Sequence, residues 1–317
     1  MKTSPILVLA LAAAVTGCRS LPSERPYALV LGTAQDGGLP HVGCRGEACE
    51  AARRNPEKGR LITSLLLADP KSGGRWLFDA TPDLKQQVER ARNHPPGRSA
   101  AGDKRPPLFD GIFLTHAHMG HYTGLFQLGK EAYGSRDVPL YVTQRMAAFL
   151  RVNDPWRSML EAGALDLRIV EYDTPVPLTS ELSVTALPVP HRDEYSDTVA
   201  LLIEGPERTL LYLPDIDKWQ RFALPIELLV EQVDVALLDG TFFEDGEIPG
   251  RSIDEIPHPF IAESMERFRK LPPDERRKIF FTHLNHTNPA ADPGSAAAAA
   301  VQRAGLAIAR EGQIEKL

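Results

Sequence analysis

The sequence predicts an α/β protein built from two mixed sheets with helices on the outside. Three observations carry this. Short runs rich in Val, Ile, Leu, Tyr and Phe alternate with helix-like runs along the whole chain. These strand candidates are too numerous for one doubly wound sheet. Hairpin-like strand pairs are mixed with single crossover helices, so two sheets have to form, and their outer faces need helices to cover them. A length of 317 residues, 43% of them hydrophobic and 25% charged, is enough to bury a large core and excludes wholesale disorder and coiled coil.

The elements follow in chain order. Strands are expected at 27–33, 61–68, 75–78, 111–115, 138–142, 165–170, 182–187, 198–203, 209–213, 233–238, 278–281 and 306–310. Helices are expected at 82–92, 121–131, 145–152, 156–162, 225–232, 259–270 and 294–304. Residues 93–107 are rich in Pro and Gly and read as a surface loop.

The first residues stand outside this pattern. Lys2 precedes an unbroken apolar run from Ile6 to Val15, and Val15-Thr16-Gly17-Cys18 then places small residues directly before a cysteine. The run is too short for a permanent membrane helix and reads as a secretory signal. Ending on Cys18, it resembles a bacterial lipoprotein signal. Residues 1–17 are then the removed signal peptide, Cys18 the lipidated N-terminus, 18–26 a polar tether and 27–317 the catalytic domain. This places the protein in the cell envelope, lipid-anchored on the periplasmic face; Arg19 after Cys18 favours the outer membrane. Removing 1–17 takes away Lys2 and no acid, leaving 35 basic against 42 acidic side chains, a net charge of −7. Such a surface is not built to follow a phosphate backbone, so nucleic acid is not the expected partner.

With Cys18 as anchor, Cys44 and Cys49 remain as a pair. They could close a small disulfide loop, stay as free thiols or donate to a metal. A structural zinc site needs about four ligands, and only these two are in view, with His41 a third candidate, so a disulfide or free thiols is the expectation.

The chemistry lies in the histidines. Thr115-His116-Ala117-His118-Met119-Gly120-His121 follows an apolar strand. Alternation on an extended segment points His116 and His118 the same way, and His121 opens the next helix. Three imidazoles from one strand end suit Zn²⁺ or Fe. Pro190-His191, Pro214-Asp215 and Thr282-His283 each end another apolar run with one ligand type. Four such deliveries argue for one shared metal site. No G-x-S-x-G and no P-loop competes with it.

These residues resemble the metallo-β-lactamase superfamily, whose fold is an αβ/βα sandwich with the metal site at the sheet edges. The family motif H-x-H-x-D-H corresponds to His116, His118, Gly120 and His121. The resemblance implies that His116, His118 and His191 hold one metal, that His121 and His283 hold a second, and that Asp215 bridges. Within the superfamily the chain is similar to the pyrroloquinoline quinone biosynthesis protein B family, through residues 31–40 (LGTAQDGGLP), 237–242 (LLDGTF), Ile256-Pro257-His258 and 282–289 (THLNHTNP). The region around Gly43-Cys44 and Cys49 is also similar to the cyclic phosphodiesterase of phosphonate breakdown.

Gly120 departs from the motif, because it has no ligand atom where the family has aspartate. Either one metal suffices or another residue substitutes. Asp36, His286 and His258 are the candidates, with His258 and Asp239 the weaker ones; Asp36 otherwise reads as a turn residue, His286 as a residue behind the ligands and His258 as part of a surface loop. The expected cofactor is Zn²⁺, one or two ions, with Fe²⁺ or Mn²⁺ as alternatives. The expected reaction is hydrolysis of an ester, lactone or phosphodiester-type small molecule, since a bound divalent ion lowers the pKa of its water from roughly 15.7 to about 7. Asp215 would orient that water, and His191, Asp193 or His286 would handle the leaving-group proton. An iron-dependent oxidation, implied by the quinone-biosynthesis resemblance, and a non-catalytic binding lipoprotein are the alternatives. The one-metal reading further predicts that Gly120→Asp raises second-site occupancy if the backbone there permits a side chain.

Overall fold

A computed structural model describes residues 25–94, 107–248, 250 and 256–317. The expected signal peptide, Cys18, most of the expected tether and most of the Pro/Gly-rich segment fall outside the described residues.

Two seven-stranded sheets face each other. The first comprises β1 (Tyr27–Gly32), β2 (Ser64–Asp69), β3 (Gly74–Phe78), β4 (Gly111–Phe113), β5 (Val138–Val142), β6 (Leu165–Ile169) and, paired to β1 at the edge, β14 (Ile314–Lys316). The second comprises β7 (Val176–Pro177), β8 (Ser183–Val189), β9 (Thr198–Glu204), β10 (Thr209–Leu213), β11 (Val235–Asp239), β12 (Ile279–Thr282) and β13 (Ala307–Ile308). Each sheet has an antiparallel half and a parallel half. β1 to β3 and β7 to β10 run as meanders, whereas β3 to β6 and β10 to β13 pair in parallel. The meanders are the hairpin-like pairs of the sequence, and the parallel strands are the ones joined by crossover helices.

Alternate residues of each strand face opposite layers. Val30, Leu65, Leu67, Phe78 and Phe113 meet Leu201, Ile203, Tyr212 and Leu237 between the sheets. Leu29, Leu31, Leu66, Leu77 and Ile112 point the other way, onto helices Leu84–Arg90 and Gln144–Val152. Leu211, Leu213, Ala236 and Leu238 pack on helices Ile226–Gln232, Ile261–Phe268 and Ala296–Arg303. Burial on both faces explains why the strands read as continuous apolar runs.

Three expectations change. The helix at 121–131 is a single turn, Met119–Tyr122, followed by 3₁₀ structure, Thr123–Leu128. There Gly124 N–H donates to Ala80 O at 2.9 Å instead of to its own turn, and a Cβ at 124 would stand 2.0 Å from Thr81 O. Helix Glu47–Arg54 was not foreseen, although its acids open the first turn and its arginines close the last, as the helix dipole favours. The short strands β7 and β14 owe their existence to the partners they pair with.

Candidate metal centre

The C-terminal ends of β4, β8, β10 and β12, with the loop after β1, bring the predicted donors together. His116, His118, His191 and Asp215 form one group, their ligand atoms all within 4.8 Å of one another. His116 Nε2 lies 2.9 Å from His118 Nδ1 and 3.3 Å from Asp215 Oδ2, and His191 Nε2 lies 3.2 Å from Asp215 Oδ1. Zn–N distances of about 2.0–2.1 Å put neighbouring donors of a tetrahedral site about 3.3–3.4 Å apart, so this spacing fits an ion of that size. The far nitrogens are held from behind. Thr115 Oγ1 contacts His116 Nδ1 at 3.0 Å, and Glu194 Oε2 contacts His118 Nε2 at 3.1 Å. Such outer contacts fix the ring orientation and the tautomer of a ligand histidine.

Asp36, His121 and His283 form a second group. His121 Nε2 is 3.3 Å from His283 Nε2 and 3.5 Å from Asp36 Oδ1. Asp215 Oδ2 stands 3.8 Å from both rings, so this carboxylate lies between the two groups. His121 Nδ1 pairs with Asp79 Oδ2 at 2.8 Å, and His283 Nδ1 with Thr241 Oγ1 at 2.9 Å. His283 takes φ +61, a conformation costly for a non-glycine residue, and its neighbours hold it there: Leu284 N–H donates to Thr33 O at 2.8 Å.

The condition set on Gly120→Asp, room for a side chain, is not met. A Cβ on Gly120 would fall 2.1 Å from Asp36 Oδ1 and 2.8 Å from Asp36 Cα. No side chain fits there while Asp36 keeps its place.

His258, read as equally consistent with a surface loop, is buried. Its Nδ1 lies 2.9 Å from Asp239 Oδ2 and 3.2 Å from Asp215 Oδ1. It therefore groups with the Asp215 and Asp239 carboxylates and not with Asp36, His121 and His283. Burial opposes its charge, but Asp239 and Asp215 outweigh that and push its pKa up to about 10. Burial brings His191 down to about 4 against the pull of Asp215, leaving a neutral ring suited to ligation. Burial resists ionisation of Asp215 as well, yet His191, His283 and His258 hold its carboxyl well below the usual range.

Several buried polar atoms make no hydrogen bond: Asp36 Oδ1, Asp215 Oδ1 and both ring nitrogens of His191. Native interiors rarely leave such groups orphaned. Here Asp36 Oδ1 faces His121 and His283, and Asp215 Oδ1 faces His191 Nε2, across spacings that a divalent cation would satisfy, so the donor set fits the expected metal.

His286 does not join this centre. Its ring lies 4.3 Å from that of His41, its Nδ1 meets Asn285 Oδ1 at 2.9 Å, and it groups with Cys44 and Cys49. His286 thus stands with Cys44 and Cys49, away from the donors whose leaving-group proton it was expected to handle. Asp193 is likewise engaged elsewhere, accepting from Thr198 Oγ1 at 3.2 Å. Cys44 and Cys49 stand as free cysteines, and His286, not His41, is the third potential donor beside them. Asp79, Glu194 and Thr241 were missed. Asp79 had a readable signal, because it follows an apolar strand just as the ligands do.

The β-lactamase superfamily domain matches residues 74–284. Coenzyme PQQ synthesis protein B of Nitrosococcus oceani is 28% identical over 313 residues, covering 89% of this chain and 97% of that protein. Its counterpart from Methylobacterium radiotolerans is 27% identical over 307 residues, covering 90% and 97%. Among solved structures, Zn(2+)-bound PqqB from Methylobacterium extorquens superposes with a TM-score of 0.77 at 22% identity, over 92% of this chain and 100% of that one. A diphosphatase from the PhnP family superposes with a TM-score of 0.64 at 20% identity, over 92% and 97%. The two facing sheets are the metallo-β-lactamase fold, and the chain belongs to the β-lactamase superfamily.

Proposed function

We propose that the chain is a metal-dependent hydrolase acting on a small molecule with an ester, lactone or phosphodiester-type bond. The observation that carries this is the place of Asp215, whose Oδ2 lies 3.3 Å from His116 of one donor group and 3.8 Å from His121 and His283 of the other. His116, His118, His191 and Asp215 would hold the primary ion, with His121 and His283 beside a second. When bound, divalent ions lower the pKa of coordinated water and polarise the acceptor oxygen of the substrate. The chain's own residues do the rest. Asp215 orients the attacking water between the groups. Asp239 fixes the His258 ring, and His258 delivers a proton to the departing oxygen. Imidazole and carboxylate donors suit Zn²⁺, and the same donor types accept Fe²⁺ or Mn²⁺. The net charge of the mature chain argues against a nucleic-acid substrate, and lipidation at Cys18 would tether the protein at the cell envelope.

The test is a turnover screen of bis(p-nitrophenyl) phosphate, p-nitrophenyl acetate and simple lactones on protein loaded with Zn²⁺ or Mn²⁺. Turnover of one class is expected, together with its loss in His116→Ala, which should also purify with less metal. Failure of every class would sink the hydrolytic reading. An oxidative reading draws support from relatives named for coenzyme PQQ synthesis. Oxygen uptake by anaerobically Fe²⁺-loaded protein with a tyrosine-derived substrate would favour it. A non-catalytic binding lipoprotein is the reading that the absence of a ligand atom at Gly120 favours, and the Asp36 carboxylate in that space weighs against it.

A further inference from the structure

We propose that Asp36, reaching in from the loop after β1, supplies the carboxylate that Gly120 lacks, so that Asp36, His121, His283 and Asp215 make a complete second metal position. This rests on the metal-centre reading above and adds that the centre is dinuclear through a relocated ligand.

The space argues for it first. The Asp36 donor oxygen lies 2.1 Å from where a side chain on residue 120 would begin, so Gly120 and Asp36 are mutually exclusive partners. The carboxylate is also aimed. Gln35 Nε2 donates to Asp36 Oδ2 at 3.1 Å, while Oδ1 is left buried and unpartnered, 3.5 Å from His121 Nε2 and 3.9 Å from His283 Nε2. A turn residue would spend its carboxylate on backbone N–H groups, as Asp and Asn do in Asx turns; Asp36 Oδ1 accepts none. The spacings approach the donor-to-donor edges expected of a zinc-sized site, about 3.3–3.4 Å, and close further with small ring movements.

The loop is held in register with its partner ligand. Gln35 N–H donates to Leu284 O at 2.9 Å, Leu284 N–H returns to Thr33 O at 2.8 Å, and Thr63 N–H donates to Ala34 O at 2.8 Å. Asp36 therefore travels with the strand end that carries His283. Gly38, at φ +68, turns the chain away directly after.

Two single variants test this, both read by metal content against wild type and by the EPR spectrum of Mn²⁺-loaded protein. Asp36→Ala should lose one ion relative to wild type, or bind it at least about 10–100-fold more weakly, and should replace a spin-coupled pair signal with a six-line mononuclear spectrum. Gly120→Ala adds no donor and removes none, yet its methyl group displaces the Asp36 carboxylate and should give the same result. Circular dichroism confirms that each variant is folded, and Asp36→Asn provides a near-isosteric second variant where Asp36→Ala fails to fold. Variants at 36 and 120 that keep the wild-type ion count and coupled signal, while His116→Ala loses an ion, overturn the Asp36 assignment alone. Wild-type protein whose metal content is unaffected by His116→Ala overturns the metal-centre reading itself.

Discussion

Asp79→Asn isolates the contribution of one buried carboxylate to the metal centre. Asp79 is fully buried and accepts from Thr115 N–H at 2.8 Å and from Thr115 Oγ1 at 3.0 Å. Its Oδ2 faces His121 Nδ1 at 2.8 Å and accepts from Tyr212 Oη at 3.3 Å. Asparagine has one acceptor oxygen, which the Thr115 N–H claims. Its amide nitrogen then faces His121 Nδ1, which must become an acceptor, and the ring proton moves to Nε2. That nitrogen points at Asp36, His283 and Asp215, and a protonated Nε2 cannot ligate. Loss of an orienting partner typically costs about 10–100-fold in metal affinity, and with about 1.4 kcal/mol per tenfold this is about 1.4–2.8 kcal/mol. The metal-free fold should lose about 1–3 kcal/mol, because one buried donor pair is mismatched. Competition of Zn²⁺ against a chromophoric chelator measures the first quantity, and urea unfolding in EDTA the second. The affinity loss should fall mainly on the ion beside His121 and His283, since His121 is the imidazole that Asp79 contacts directly. Asp79→Asn with wild-type affinity for every ion would refute the tautomer argument.

Two other outcomes are expected. His258→Gln should keep its metal and its fold, because Asp239 retains the Thr241 and Ile216 N–H donors, while kcat falls about 10²–10⁴-fold and falls least for substrates with good leaving groups; a parallel loss of metal would show that the ring supports ligation and not proton delivery. Cys18→Ala should abolish lipid labelling and release the protein from the membrane fraction, and a variant that matures and fractionates like wild type would contradict the anchor.

The sequence by itself determined the layers and most of the candidate ligands. An apolar run has to end where the sheet ends, and a polar residue placed there is exposed to whatever lies at the sheet edge. That made His116, His118, His191, Asp215 and His283 readable one strand at a time, and the same rule would have found Asp79 after β3. Strand positions were readable because burial on both faces leaves a continuous apolar signature, whereas β7 and β14 lacked one, being defined by their neighbours. Tertiary structure decided what depends on distance through space. It sent His286 to Cys44 and Cys49 despite lying three residues from a ligand. It buried His258 against Asp239 and Asp215 from a stretch flanked by prolines. It set Asp36 into the space above Gly120, from 84 residues away, by hydrogen-bonding the loop after β1 to the end of β12. The sequence could name Asp36 among several candidates to replace the missing carboxylate but could not choose between them, because that choice rests on distance from one point in space and the chain order carries no record of that distance.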